Sequence, residues 1–128
     1  MEEVFAYFDG DNIGSRLELL LIDDQVEDAR SYSASVNRAL SEAQLILTRL
    51  PTVEVILAGG DDLLARWTLG AVSLADVEAV RDAFLKFCGQ SLSVGVGQSA
   101  GRAAYNLRRA KLLGKAQAVS DPGLCDGA

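Results

Sequence analysis

Residues 54–69 read EVILAGGDDLLARWTL, and the fold turns on this stretch. Glu54 to Ala58 has the apolar, β-branched content of a strand, and Leu63 to Leu69 forms a second such run. Only Gly59-Gly60-Asp61-Asp62 separates them. That is hairpin-loop length, and the glycines supply backbone angles that residues with a Cβ resist. An antiparallel strand pair is therefore expected in the middle of the chain, with two acidic side chains at its tip.

Upstream, Val4 to Phe8 is a continuous apolar run, long enough for a strand buried on both faces. Asp9-Gly10-Asp11-Asn12 reads as a turn, after which Ile13, Leu17, Leu20 and Leu21 mark a helical stripe. Asp23 to Asp28 is an acidic break. Tyr32, Val36, Leu40, Ala43, Leu47 and Leu50 then recur at spacings of three and four, which predicts a second amphipathic helix ended by Pro51. Downstream, Ser73 caps a helix with Val77, Val80, Phe84 and Phe87 on one face, closed by Gly89. Ser91 to Gly97 alternates, with Leu92, Val94 and Val96 inward. Gly101 to Gly114 is a last helix with Ala104, Leu107 and Ala110 inward, and a short strand over Ala116 to Val119 follows. Trp67 and Tyr105 are assigned to the core. Residues 1–119 are expected to form one domain and residues 120–128 a flexible C-terminal tail.

This order, β-α-β-β-α-β, predicts an α+β, ferredoxin-like (split βαβ) domain: an antiparallel sheet with helices on one face. In that topology the first strand lies beside the hairpin, so its end carries Asp9 up to Asp61 and Asp62.

Composition narrows the chemistry. The chain of 128 residues is 49% hydrophobic and 23% charged, an ordinary globular balance for a single domain. No apolar run approaches a membrane span. The N-terminus opens with Glu2 and Glu3 rather than the basic region of a secretory signal, and a cytoplasmic protein is expected. Two cysteines make neither a disulfide framework nor a zinc site. Histidine is absent, which removes Ser-His and Cys-His nucleophiles and the usual zinc enzymes. A net charge of −6 argues against binding long nucleic acid, which relies on basic surface.

Three carboxylates at one spot are costly. Two like charges about 4 Å apart repel by roughly 4 kcal/mol at an effective dielectric near 20. A divalent cation at the centre relieves that repulsion, and hard oxygen ligands alone favour Mg2+ or Mn2+. The plainer alternative is that Asp61 and Asp62 are polar hairpin residues and Asp9 a helix cap. Gly10 and Gly14 flank Asp11 and Asn12 where a strand hands over to a helix, and small residues there let backbone N–H groups approach a triphosphate.

Together, Phe8-Asp9-Gly10-Asp11-Asn12-Ile13-Gly14 and the Gly59-Gly60-Asp61-Asp62 hairpin resemble the minimal CRISPR polymerases (mCpol), stand-alone relatives of the palm domain in the large subunit of type III CRISPR complexes. The same palm occurs in GGDEF diguanylate cyclases and, more distantly, in GTP cyclohydrolase III. The resemblance runs from Val4 to about Val119. It implies a nucleotidyltransferase that makes a cyclic di- or oligonucleotide second messenger from ATP, releasing pyrophosphate, in antiviral defence. Asp9, the Gly10 carbonyl, Asp61 and Asp62 would hold one or two Mg2+ (or Mn2+) ions, with Asp62 a second ligand or a base. Ala110-Lys111-Leu112-Leu113-Gly114-Lys115 is similar to the end of a GGDEF domain, so that Lys111 and Lys115 would contact the β- and γ-phosphates. Their plainer role is to favour a helix C-terminus. Ile13, Gly14 and Gly60 would join Gly10 along the nucleotide, and Asp11 and Asn12 could hydrogen-bond ribose or base. Ser91 and Ser93 would line the open sheet face, while Arg102, Arg108 and Arg109 are read as a solvated helix face. A homodimer would bring two triphosphates together, and a separate effector would read the product. Asp62 and Leu63 stand where diguanylate cyclases carry Glu and Phe, which speaks against a cyclic di-GMP synthase. The rival readings are a GTP cyclohydrolase III-like hydrolase and a palm that senses nucleotides without turnover.

Overall fold

The computed structural model describes residues Glu2–Cys125. Its elements run β1 (Glu3–Gly10), α1 (Ile13–Ile22), α2 (Val26–Thr48), β2 (Glu54–Gly59), β3 (Asp62–Thr68), α3 (Leu74–Cys88), β4 (Leu92–Gly97), α4 (Ala100–Leu112) and β5 (Ala118–Ser120). The sheet order is β2-β3-β1-β4-β5. β1 is thus central, antiparallel to β3 on one side and to β4 on the other. The short β5 pairs with β4 in parallel, so the sheet is antiparallel only across its first four strands. β5 can run that way because α4 supplies the crossover that a parallel connection requires.

Strand alternation sorts the layers. Val4, Ala6 and Phe8 of β1, Leu63, Ala65 and Trp67 of β3, and Leu92, Val94 and Val96 of β4 are all buried in one cluster with residues of α2 and α3. The βαββαβ unit therefore has its helices on one face, as expected. α4 lies outside that unit and covers the reverse side of β4. Ser93, Gly95 and Gly97 point toward it, and a Cβ on Gly95 would come within 2.1 Å of both the Ala103 carbonyl oxygen and the Leu107 nitrogen. Helix and sheet backbones meet here with no side chain between them.

Local signals explain the boundaries. Ser73 and Asp76 form a reciprocal cap at the start of α3, and Gly89 closes it at φ 75°. Ser99 accepts from the Arg102 N–H at the start of α4. The β2–β3 hairpin is tighter than its sequence implies. Gly59 pairs with Asp62, leaving Gly60 and Asp61 as the loop, with Gly60 at φ 62°.

Other expectations need correction. Asp9 and Gly10 belong to β1 rather than to a turn, because Asp9 still pairs with both Asp62 and Ser93. On α4 the inward positions are Ala103, Asn106, Leu107 and Ala110. Ala104 faces out, and Tyr105 is exposed beneath the Arg102 guanidinium. The last strand begins two residues later than expected. The segment after 119 is not loose as far as Cys125: Leu124 and Cys125 are buried in the core, and the Leu74 N–H donates to the Cys125 carbonyl. Residues 126–128 of the expected tail lie outside the described residues.

The contact at Gly95 yields a stability prediction. Gly95→Ala should destabilise the fold by at least about 1–3 kcal/mol, since overpacking against backbone cannot be relieved by a rotamer change. Gly14→Ala, with nothing within 4 Å of the new Cβ, should leave stability unchanged or raise it. Paired urea denaturation curves check both.

Candidate active site

Asp9 and Asp62 are direct cross-strand partners in the β1–β3 ladder, so their side chains leave the same face of the sheet. It is the face not covered by α2 and α3. Asp61 sits at the hairpin tip, held against the end of β1 by the Gly10 N–H, which donates to the Asp61 carbonyl at 2.9 Å. Glycine gives the room needed at position 10: a Cβ would lie 2.7 Å from Ile13 Cγ1 and 3.1 Å from Phe84 Cζ, so any larger residue must push those side chains aside. Tyr7, on the same face, donates its hydroxyl to Asp62 Oδ2 at 3.3 Å. Sequence reading passed over Tyr7, which lies two residues before Asp9 and so shares its face.

The electrostatics are unbalanced here. Burial, and then the neighbouring Asp9 and Asp62, push the Asp61 carboxyl above its ordinary value. Asp9 is also raised, by burial first; Lys111 opposes that shift and Asp62 and Asp11 add to it. The two groups would release charge strain by taking a proton or a cation.

Asp11 behaves oppositely. It is 1% exposed and accepts from Ser91 Oγ at 2.6 Å, Ser93 Oγ at 2.8 Å, the Ala116 N–H at 2.9 Å and Lys111 Nζ at 2.6 Å. Burial pushes its carboxyl up, but Lys111, Ser91, Ser93 and Ala116 together outweigh burial and hold it below the usual carboxylate range. Its backbone is fixed as well: the N–H donates to the Ser91 carbonyl and the carbonyl accepts from Gln90 Nε2. The expectation that Asp11 touches ribose or base therefore fails, because its oxygens are spent inside the protein. Ser91 and Ser93 likewise serve Asp11 and do not line an open face. Two serines spaced by two on one strand must share a side, which is the signal that could have paired them with a buried acceptor.

Lys111 reaches back from the end of α4 to Asp9 Oδ2 at 3.1 Å, the Asp9 carbonyl at 3.2 Å and the Gly10 carbonyl at 3.1 Å, as well as to Asp11. Lys115 Nζ donates to Asn12 Oδ1. Asn12 sits at φ 60° before α1 and makes no side-chain cap, and the first helical bond there runs from the Arg16 N–H to the Asn12 carbonyl. The N–H groups of Ile13, Gly14 and Ser15 precede that bond and lack intrahelical partners, so the start of α1 offers an anion site.

No three Asp, Glu, Cys or His side chains among the described residues form a cage that could hold a metal. Mg2+, however, is commonly held by one or two carboxylates together with substrate phosphates. Asp9, the Gly10 carbonyl and an Asp61 whose carboxyl burial and like charge hold high fit that pattern, with Asp62 beside them. Arg102 stands apart, paired with Asp121 at 2.7 Å.

Residues 5–120 match the family model described as the minimal CRISPR polymerase domain, mCpol. The chain belongs to that family. No curated protein matches it. Among solved structures, this mCpol chain is similar to a Csm1-Csm4 cassette in complex with cA4, at 19% identity and TM-score 0.68 over 94% of the chain. It is also similar to diguanylate cyclase SiaD from Pseudomonas aeruginosa, in complex with its activator SiaC, at 18% identity and TM-score 0.60 over 94%. The active GGEEF domain of a Vibrio cholerae diguanylate cyclase gives 17% identity and TM-score 0.61, again over 94% of this chain and 83% of that one. The mCpol chain spans 21% of the first of these and 50% of the second. Identities this low establish the palm fold. The palm expected from the two motifs is the fold observed.

The two acid environments predict opposite variant effects. Asp11→Ala should lower stability by at least about 1–3 kcal/mol at neutral pH, since it leaves the buried Ser93 hydroxyl and the Ala116 N–H without their acceptor and takes from Lys111 its nearest carboxylate. A depressed folded pKa makes this contribution present above the ordinary carboxylate pKa and lost as pH falls through the folded value. Asp61→Asn should raise stability at neutral pH, because a raised folded pKa makes ionisation costly; that gain should shrink as pH falls. Urea denaturation from neutral pH down to well below the ordinary carboxylate pKa checks both signs.

Proposed function

We propose that this mCpol protein is a nucleotidyltransferase that joins ATP into a cyclic di- or oligonucleotide and releases pyrophosphate. The observation that carries the reading is the Asp9–Asp62 cross-strand pair with Asp61 at the adjoining tip, set beside the uncapped start of α1. An anionic cluster next to an anion site makes physical sense when a divalent cation and a triphosphate bind together. Support for ATP comes from relatives: Csm1-Csm4 cassettes of the same fold were solved with one ATP, with cA3 and with pppApApA.

In this reading Asp9, the Gly10 carbonyl, Asp61 and Asp62 hold one or two Mg2+ or Mn2+ ions. The bound ions supply Lewis-acid stabilisation of the phosphates and a lowered pKa for the attacking ribose hydroxyl. The free N–H groups of Ile13 and Gly14 receive phosphate oxygens, and Gly60 leaves room at the hairpin for them. Lys115, at the protein surface, answers the charge of the leaving pyrophosphate. Asp62, oriented by Tyr7, serves as a further ligand or takes the hydroxyl proton. The ribose oxygen forms a bond to the α-phosphorus as the bond to pyrophosphate breaks. No protein nucleophile takes part, in keeping with a chain that has no histidine.

A second nucleotide must approach the same open face, and a face-to-face homodimer would deliver it. The product would act as a signal in antiviral defence, read by a separate effector. No described helix is long and apolar enough to cross a membrane, which accords with a site working on dissolved nucleotides.

The test is incubation with ATP or GTP and Mg2+, followed by mass spectrometry. Pyrophosphate plus a cyclic adenylate is expected from ATP. Asp61→Ala with Asp62→Ala should lower product formation by roughly 10³-fold or more while the fold stays intact or gains stability. A formylated pyrimidine from GTP would mark a hydrolase instead, and nucleotide binding without turnover would mark a sensor. An active double variant would refute the assignment.

A further inference from the structure

The lysine expected to wait for phosphate is already occupied. Lys111 Nζ lies 2.6 Å from Asp11 Oδ1, 3.1 Å from Asp9 Oδ2, 3.1 Å from the Gly10 carbonyl oxygen and 3.2 Å from the Asp9 carbonyl oxygen. An ammonium has three N–H donors, so these four oxygens outnumber what it can serve. An all-oxygen surround of this kind, rich in carboxylate and backbone carbonyl, is the chemistry of a hard-cation site. The side chain is only 17% exposed. Two of its four acceptors, Asp9 Oδ2 and the Gly10 carbonyl, are the ones assigned above to a divalent cation.

We infer that Lys111 is the resident counter-cation of this site, a stand-in that holds the metal ligands together until a divalent cation takes them over. The inference rests on the metal-dependent reading of the site. Lys111 cannot keep Asp9 and the Gly10 carbonyl once a doubly charged ion shares their lone pairs at short range. It has one place to withdraw to, the Asp11 carboxylate, which is locked by Ser91, Ser93 and the Ala116 N–H. Withdrawal frees N–H donors that had served the β1 oxygens, and a triphosphate is the anion at hand to accept them. Asp11 is then a positioning residue: it touches neither nucleotide nor metal, yet sets where the ammonium rests in each state. The arrangement couples the two ligands. Divalent cation alone must displace the lysine and binds weakly, whereas cation with triphosphate gives the displaced ammonium a partner.

The test uses Mn2+ alone as the probe, with no nucleotide, followed by electron paramagnetic resonance of free Mn2+. Lys111→Met should tighten Mn2+ binding by at least about tenfold over wild type. Lys115→Met removes an equal charge that is tied to Asn12 instead and should change Mn2+ affinity much less. Equal effects of the two variants would overturn the inference, since a general field and no specific occupancy would be at work. Because Lys111→Met leaves Asp11 unpaired, Lys111→Met with Asp11→Asn is measured in parallel as a charge-balanced version, with the same tightening expected. A measurement on the unaltered protein guards against misfolding: the side-chain ammonium resonance of Lys111 should move on titration with Mg2+ alone. A resonance unmoved when the Asp61 backbone signal has saturated would overturn the inference while leaving the metal site standing. Asp9→Asn binding Mn2+ as well as wild type would sink the metal reading itself, and this inference with it.

Discussion

Four separate pieces of chain meet at the Asp11–Lys111 pair. Asp11 follows β1, Lys111 lies near the end of α4, Ser91 precedes β4 and Ser93 lies within it, and Ala116 leads into β5. A charge this deep in a protein costs several kcal/mol in lost hydration, and the cost is offset only when every lone pair finds a donor. Asp11 meets that condition. The requirement is strict in direction and distance, so satisfying it also fixes where α4 stops, where β5 begins and how the end of β1 is turned. The site next to it inherits that rigidity.

The open face two residues away follows a different rule. Asp9, Asp61 and Asp62 are left with too little positive charge, and burial together with mutual repulsion raises the carboxyls of Asp9 and Asp61. A fold selected for stability alone would not place two aspartates opposite each other on adjacent strands. This imbalance suits the cation-binding role proposed for the site, and the Asp11 cluster and the α2–α3 core offset its cost elsewhere. Identical residue types, Asp9 and Asp11, thus sit in opposite environments: burial raises the carboxyl of one, and hydrogen bonds hold the other below the usual range and in place.

Much of this was legible in the residues. The helices of the βαββαβ unit follow from apolar spacing, and their ends from Pro51, Ser73 and Gly89. The approach of Asp9 to the hairpin follows from the element order, since the first strand of a split βαβ unit neighbours the hairpin. Errors gathered where burial depends on a distant element. Alternation alone places Ser93 and Asp11 toward solvent, because it cannot tell that α4 and the β5 loop cover that side. Tyr105 and Ala104 were read inward because an alanine-rich helix offers several equally plausible stripes, and only docking against Gly95 and Gly97 selects Ala103 and Leu107. The segment after 119 carried no periodicity, yet Leu124 finds a place in the core.

The sequence by itself determined the order and type of the elements, the presence of the glycine hairpin and the inventory of acids, bases and glycines available to a site. Those are local properties, set by spacing, backbone freedom and side-chain chemistry. Tertiary structure alone decided which aspartate is fully buried and which is half-buried, and that Lys111 faces β1 rather than solvent. The reason is that hydration is a property of the space around a side chain, and that space is made by chain segments about a hundred residues away.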